Sequence, residues 1–324
     1  MRSTTGMVNL RSGGRACLKR SPAAGLRSAS RARRRQISEN PEPRKMGDIR
    51  LGTSGYSFGG WKGIVYPSNI RESEMFAYYT DYFRLNTVEI NYTYYTMPSR
   101  KVFESYARRL PDEFDFTVKL YAGITHEPWL SADSAPDVDT DLCSRFLWAI
   151  EPLAESGRLG CLLAQFPPRM YPGRVSWDYL LRLRDAFAGQ KLVYEFRNKA
   201  WVSPGTISKL KQADIGYCAV DEPQVGPLMP LVPAVTSDVA YLRFHGRNTK
   251  WFEDSSVRYD YLYSERELKK MLPTIKSMAG RSKTVYIQFN NCHAGAALRN
   301  VKMMQYLLGL DVPPLQGVLF GAAF

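Results

Sequence analysis

Between residues 49 and 308 the apolar positions switch repeatedly between a period of two and a period near 3.6, the signals of strands and of one-faced helices. In Thr87-Val88-Glu89-Ile90-Asn91, Val88 and Ile90 alternate with a polar set that ends in a carboxylate and an amide. The alternation recurs three times. Leu192, Tyr194 and Phe196 alternate with Val193, Glu195 and Arg197; Leu242 and Phe244 with Tyr241, Arg243 and His245; Val285, Ile287 and Phe289 with Tyr286, Gln288 and Asn290. One polar face would suit an edge strand, but four strands carrying reactive groups near their C-terminal ends call for another setting. In a closed parallel barrel those faces point inward, and the strand ends floor one pocket.

Strands are predicted over 49–54, 87–91, 114–120, 159–165, 191–197, 215–220, 239–245 and 284–290. Helices are predicted over 72–83, 98–109, 141–155, 176–187, 204–212, 264–278 and 296–308. Ser99 and Ser264 are the expected N-caps of their helices, Glu267 completing a capping box with Ser264. Residues 121–139 form a long loop. Residues 221–238 contain Pro223, Pro227, Pro230 and Pro233, so they are neither helix nor central strand and are expected to wall or cover the pocket. Read as eight strand–helix units over about 260 residues, the pattern matches a (β/α)8 TIM barrel, for which ~250 residues are typical. No strand pair is joined by a two-residue hairpin turn, which argues against an antiparallel sandwich. A doubly wound open sheet is the structural alternative, but Gly52-Thr53-Ser54-Gly55 lacks the spacing of a phosphate-binding turn.

Charge changes the picture only after it is divided. The formal charge is +13, yet ten Arg and two Lys against Glu39 and Glu42 put +10 of it in residues 1–47 and leave +3 for 48–324. The folded part is therefore close to neutral, which disfavours nucleic acid as a partner, since many phosphate contacts need a clustered basic face. Residues 1–47 lack periodic apolar positions and are expected to be a disordered Arg-rich tail, with 48–324 as a single barrel domain. Three readings of the tail stand: a mitochondrial presequence, a nucleic-acid-binding arm, and an upstream extension before a start at Met46, the last preferred because Met46-Gly47-Asp48 directly precedes the first strand. The expected location is cytoplasmic, or mitochondrial if the tail is a targeting segment. No apolar run reaches the ~20 residues of a membrane span. Five cysteines without CxxC spacing read as reduced thiols, and three histidines make a multi-histidine metal site a poor fit, so no metal or cofactor is expected.

Several motifs, taken together, resemble one family. They are Gly52-Thr53-Ser54-Gly55-Tyr56 with Trp61 and Tyr66-Pro67; Thr87-Val88-Glu89-Ile90-Asn91 with Tyr95; Lys119 with Thr125-His126; and Gln165-Phe166-Pro167-Pro168. Glu195-Phe196-Arg197 with Trp201, Arg243-Phe244-His245-Gly246-Arg247 and Phe289-Asn290-Asn291 complete the series. In this order, over residues 49–308, they resemble the YecE-like family, domain of unknown function 72. The resemblance implies a (β/α)8 barrel with its site at the strand ends and brings no settled activity. Asn198 stands where the family often has His, and Cys292-His293 follows the Asn pair.

The candidate chemistry is acid–base. Glu89 and Glu195, on different strand ends, can divide into general acid and general base if their surroundings separate their pKa values; the structural alternative pairs them with Arg197 and Arg243. His245 and Lys119 are the expected assistants. A lone Lys119 on an otherwise apolar strand needs a carboxylate partner, a lowered pKa or an anionic ligand. Arg197, Arg243 and Arg247 are expected to clamp negative charge. Tyr56, Trp61, Asn91, Tyr95, His126, Gln165, Trp201, Asp221, Asn290 and Asn291 are the remaining candidates for substrate binding, the aromatics as walls and the amides and Asp221 as orienting groups. With three cations expected to face two carboxylates, the pocket should carry surplus positive charge. The leading function is an enzyme of the hydrolase, lyase or isomerase kind on a small polar or anionic, sugar-like molecule. The alternatives are a nucleic-acid enzyme or binder and a non-catalytic ligand-binding barrel.

Overall fold

The computed structural model describes residues 46–108, 113–130, 136–253 and 257–310. The expectations for residues 1–45, and for the end of the second helix at Arg109, lie outside them. Eight parallel strands make one sheet: β1 (Asp48–Thr53), β2 (Thr87–Ile90), β3 (Asp115–Lys119), β4 (Leu159–Gln165), β5 (Leu192–Glu195), β6 (Gly216–Asp221), β7 (Val239–Phe244) and β8 (Thr284–Phe289). The spatial order β1-β8-β7-β6-β5-β4-β3-β2 brings the first two strands face to face at the ends of the sheet. A parallel bridge from Ser54 to Glu89 joins them, with the Gly55 N–H donating to the Glu89 carbonyl at 2.9 Å. The sheet is thus a nearly closed (β/α)8 barrel.

The seam depends on two residues. Gly52 lets β1 approach β2, because a Cβ there would lie 2.3 Å from the Thr87 carbonyl oxygen. The Tyr79 hydroxyl then takes the place of missing ladder bonds: it accepts from the Thr53 N–H at 3.0 Å and donates to the Thr87 carbonyl at 3.1 Å. Tyr79 reaches the seam from a π-helical turn, Tyr78–Tyr82, that follows α1 (Glu72–Ala77). The sequence pattern reads this whole stretch as one helix.

The outer helices are α2 (Arg100–Arg108), α4 (Thr140–Glu155), α5 (Arg174–Ala186), α6 (Pro204–Gln212), α7 (Glu265–Ala279) and α8 (Ala296–Leu307), with the short turn α3 (Ala122–Thr125) inside the long loop after β3. Outward strand residues such as Leu51, Val88, Val118 and Leu162 join the helices' apolar stripes in one core. Ser264 caps α7, and Glu267 closes the expected capping box. Asp139, rather than a residue inside the predicted helix, caps α4. The reading of eight strand–helix units needs one correction: no helix lies between β6 and β7, because the proline-rich chain there cannot sustain intrahelical bonds.

Inside the barrel, polar side chains share the space with aliphatics such as Leu163 and Val193. Below, the Tyr286 hydroxyl meets Asp115 and Arg50 lies near the same carboxylate; Gly160 leaves room, since a Cβ there would lie 2.1 Å from the Tyr286 hydroxyl. Above them the Tyr241 hydroxyl meets Thr117 at 2.8 Å. No helix among the described residues is long and apolar enough to cross a membrane.

Replacing Tyr79 by Phe removes the hydroxyl and leaves the Thr53 N–H without its partner. A loss of about 1–3 kcal/mol is expected in urea unfolding; a loss under about 0.5 kcal/mol would show that the seam closes without it.

Candidate functional site

Period-two alternation along β7 points Tyr241, Arg243 and His245 into the barrel, and Arg243, 1% exposed, becomes its central cation. One guanidinium nitrogen donates to Glu195 Oε2 at 2.7 Å, the other to Glu89 Oε1 at 2.6 Å and, more weakly, to Ser54 Oγ at 3.3 Å. Glu89 Oε2 accepts from the Tyr241 hydroxyl at 2.7 Å. Both carboxylates are fully buried. Glu195 Oε1 lies 2.6 Å from Arg197 Nε, but the two make an ion contact rather than an aligned hydrogen bond. Burial alone would push the Glu195 carboxyl up; Arg197 and Arg243 outweigh it and hold the group well below the usual carboxylate range. Three buried ions are costly to desolvate, so the arrangement persists through mutual pairing.

Arg197 extends the network. It donates to Glu222 Oε2 at 2.9 Å and to His245 Nε2 at 3.0 Å. Nε2 also lies 3.4 Å from Glu195 Oε1, and Nδ1 lies 2.9 Å from the Asn290 side-chain nitrogen. Burial and the neighbouring Arg197 push His245 well below its ordinary value, which keeps the ring neutral. Burial also raises Glu222, against the pull of Arg197.

Above this floor opens a cavity of about 430 Å³. Arg197, Arg243 and Lys119 line it, whereas Glu89, Glu195, Glu222 and His245 lie behind them. Lys119 Nζ donates to Gln165 Oε1 at 2.8 Å and sits 4.2 Å above the Tyr94 ring. Among the described residues its ammonium makes no ion pair, and Gln165 stands where a carboxylate partner would. Burial, followed by the charge of Arg243, lowers its pKa from 10.5 to about 7. Across the cavity stand Tyr56, Phe58, Tyr92, Tyr95, Tyr106 and Tyr259, with the Tyr56 and Tyr106 hydroxyls joined at 2.7 Å.

Of the residues singled out from sequence, Tyr56, Asn91, Tyr95, Lys119, Gln165, Arg197, Arg243 and Asn290 line the cavity. The others do not. Trp61 and Trp201 are buried anchors whose indoles donate to the carbonyls of Cys292 and Met170. Asn291 binds Tyr261 and Asn300. His126, packed edge-on against Tyr94, is lowered to about 4 by burial and by Lys119. Asp221 and Arg247 form a bidentate pair of their own, at 2.8 and 2.6 Å, joined by Tyr263; Arg247 ties the end of β6 to Glu267 in the first turn of α7 and does not line the cavity. From the proline-rich segment Glu222 alone reaches the floor, and residues 223–238 contribute nothing to the cavity wall, so they do not cover it.

Sequence reasoning missed Ser54, Tyr106, Tyr259 and Glu222. Glu222 directly follows a strand-end acid and was legible as a second carboxylate. It also corrects the charge count: three cations meet three carboxylates, and the surplus is one of position rather than number. Tyr106 and Tyr259 come from a helix and a loop, where no periodic signal marks them. Among the described residues no group of three or more His, Cys, Asp or Glu is arranged to hold a metal ion.

A family model described as protein of unknown function DUF72 matches residues 50–317. The chain is 27% identical over 276 residues to the UPF0759 protein YunF of Bacillus subtilis, covering 81% of this chain and 95% of that one. A DUF72 family protein of Thermotoga maritima has a similar crystal structure, with 40% identity and a TM-score of 0.75 over 81% of this chain and 99% of that one. A DUF72 family protein of Enterococcus faecalis is 26% identical with a TM-score of 0.69, covering 83% and 98%.

Replacing Glu195 by Gln leaves two arginines short of charge, and a loss of roughly 3–5 kcal/mol is expected at neutral pH. Because the folded pKa is depressed, this stabilisation is fully present above the unfolded value of about 4.3 and disappears as pH falls toward the folded one. The gap between wild type and Glu195→Gln in denaturant unfolding should therefore shrink below pH 4.3. A gap independent of pH would contradict the pairing.

Proposed function

The chain belongs to the DUF72 family, and on that footing we propose that it is an enzyme of the hydrolase, lyase or isomerase kind that performs acid–base chemistry on a small anionic molecule in the cavity at the strand ends. One observation carries this reading: the cavity presents Arg197, Arg243 and Lys119, while the carboxylates that balance the arginines are hidden beneath them. An anion entering there meets positive groups first and needs no rearrangement of the floor.

The roles follow from who is already engaged. Glu195 is held ionised by two arginines and has no proton to donate; with Glu89 it positions Arg243. His245 positions Arg197 in the same way. Lys119, with a pKa of about 7, is the group that exchanges a proton at neutral pH. The tyrosine wall fits the uncharged part of the ligand.

Two measurements test this. Small dianions such as sulfate, whose own charge does not change in this range, should raise the melting temperature, and should bind more tightly below pH 7, where Lys119 is protonated, by roughly tenfold, the worth of one charge-assisted hydrogen bond. Lys119→Met should abolish that pH dependence. In heavy water, anionic carbonyl or hydroxy compounds that bind should exchange carbon-bound hydrogen, at a rate that rises as pH passes 7 and falls ~10²-fold or more in Lys119→Met. Anions that bind without any exchange would leave a ligand-binding barrel without catalysis.

A further inference from the structure

We infer that Lys119 is a nucleophile that forms an imine with the carbonyl carbon of a small anionic carbonyl compound, the class represented by 2-oxo acids; this deepens the proposed function and rests on its anion site. The geometry is that of an attacking amine rather than of a structural ammonium. Lys119 leaves the C-terminal end of β3, the end at which a barrel's reacting groups gather. Its Nζ is fixed by one acceptor, Gln165 Oε1, and by the face of Tyr94, while the residue lines the cavity. The nearby carboxylates are already committed, Glu89 and Glu195 to Arg243 and Glu222 to Arg197. A lysine kept only for structure would have one of them. Burial and the charge of Arg243 outweigh the pull of Glu195 and Glu89, which favours the neutral, nucleophilic amine.

The same cations serve the other end of the ligand. Arg197 and Arg243 line the cavity with Lys119, so a carboxylate or phosphate held by them places an adjacent carbonyl toward Nζ. The amine nitrogen then forms a bond to the carbonyl carbon while one of its protons passes to the carbonyl oxygen; the second N–H proton follows as the C–O bond breaks, and the oxygen leaves as water. The product is a C=N bond whose protonated form draws electrons from the neighbouring carbon, which is what removal of a proton or cleavage of a bond there requires. Atoms balance with water as the sole by-product, and no oxidant or reductant is involved.

Borohydride tests the step, because its hydride reduces an imine to a stable secondary amine. The intact chain is incubated with pyruvate or glyoxylate near pH 7.5, quenched with sodium borohydride, and mapped by peptide mass spectrometry; binding of each probe, and of inorganic phosphate, is followed by thermal shift. The expected result is one adduct per chain on Lys119, reduced at least fivefold by excess phosphate and absent in Lys119→Arg and Lys119→Met. Both variants are checked for folding by their melting curves. Binding of phosphate and of either probe without an adduct on Lys119 would overturn the imine and leave the anion site standing. Labelling spread over surface lysines and unchanged in the variants would overturn it equally. If neither phosphate nor either probe binds, the proposed function itself fails, and the imine with it.

Discussion

The fork of Arg243 between Glu195 and Glu89 is the interaction on which the rest of this barrel depends. It ties β7 to β5 and to β2 across the interior, at the level where β1 and β2 meet through one bridge. A guanidinium can reach two carboxylates at once because its donors diverge in a plane, and a lysine in its place would serve one at a time. The fork therefore contributes both to closure of the barrel and to the chemistry of its mouth.

Desolvation decides the character of each group around that fork. A carboxylate with two arginines stays charged despite burial, as Glu195 does; an imidazole facing a guanidinium loses its proton, as His245 does; an amine with no carboxylate of its own falls to about 7, as Lys119 does. Each outcome is the sum of one burial cost and one set of neighbours.

The barrel and its inward polar faces were legible because period-two alternation marks them on β2, β5, β7 and β8. Arg243 and Arg197 were legible for the same reason, and Lys119 as the lone cation near the end of its strand. Which carboxylate meets which cation was not, since pairing is set by strand register around the barrel and not by spacing along the chain. Trp61 and Trp201 illustrate a second limit: an aromatic beyond a strand end reads alike whether its indole faces a ligand or a backbone carbonyl. The π-helical turn at Tyr78–Tyr82 has no pattern signal at all, yet it delivers the hydroxyl that closes the seam.

If the floor network leaves Lys119 as the cavity's titrating amine, that amine will titrate near neutral pH. Its side-chain resonance, assigned by comparison with Lys119→Met in lysine-labelled protein, can be followed by NMR from pH 5 to 11. The expected midpoint is near 7, well below the ordinary 10.5, and it moves up toward 10.5 when phosphate occupies the cavity and stabilises the ammonium. A midpoint near 10.5 in the empty cavity, unmoved by phosphate, would contradict it.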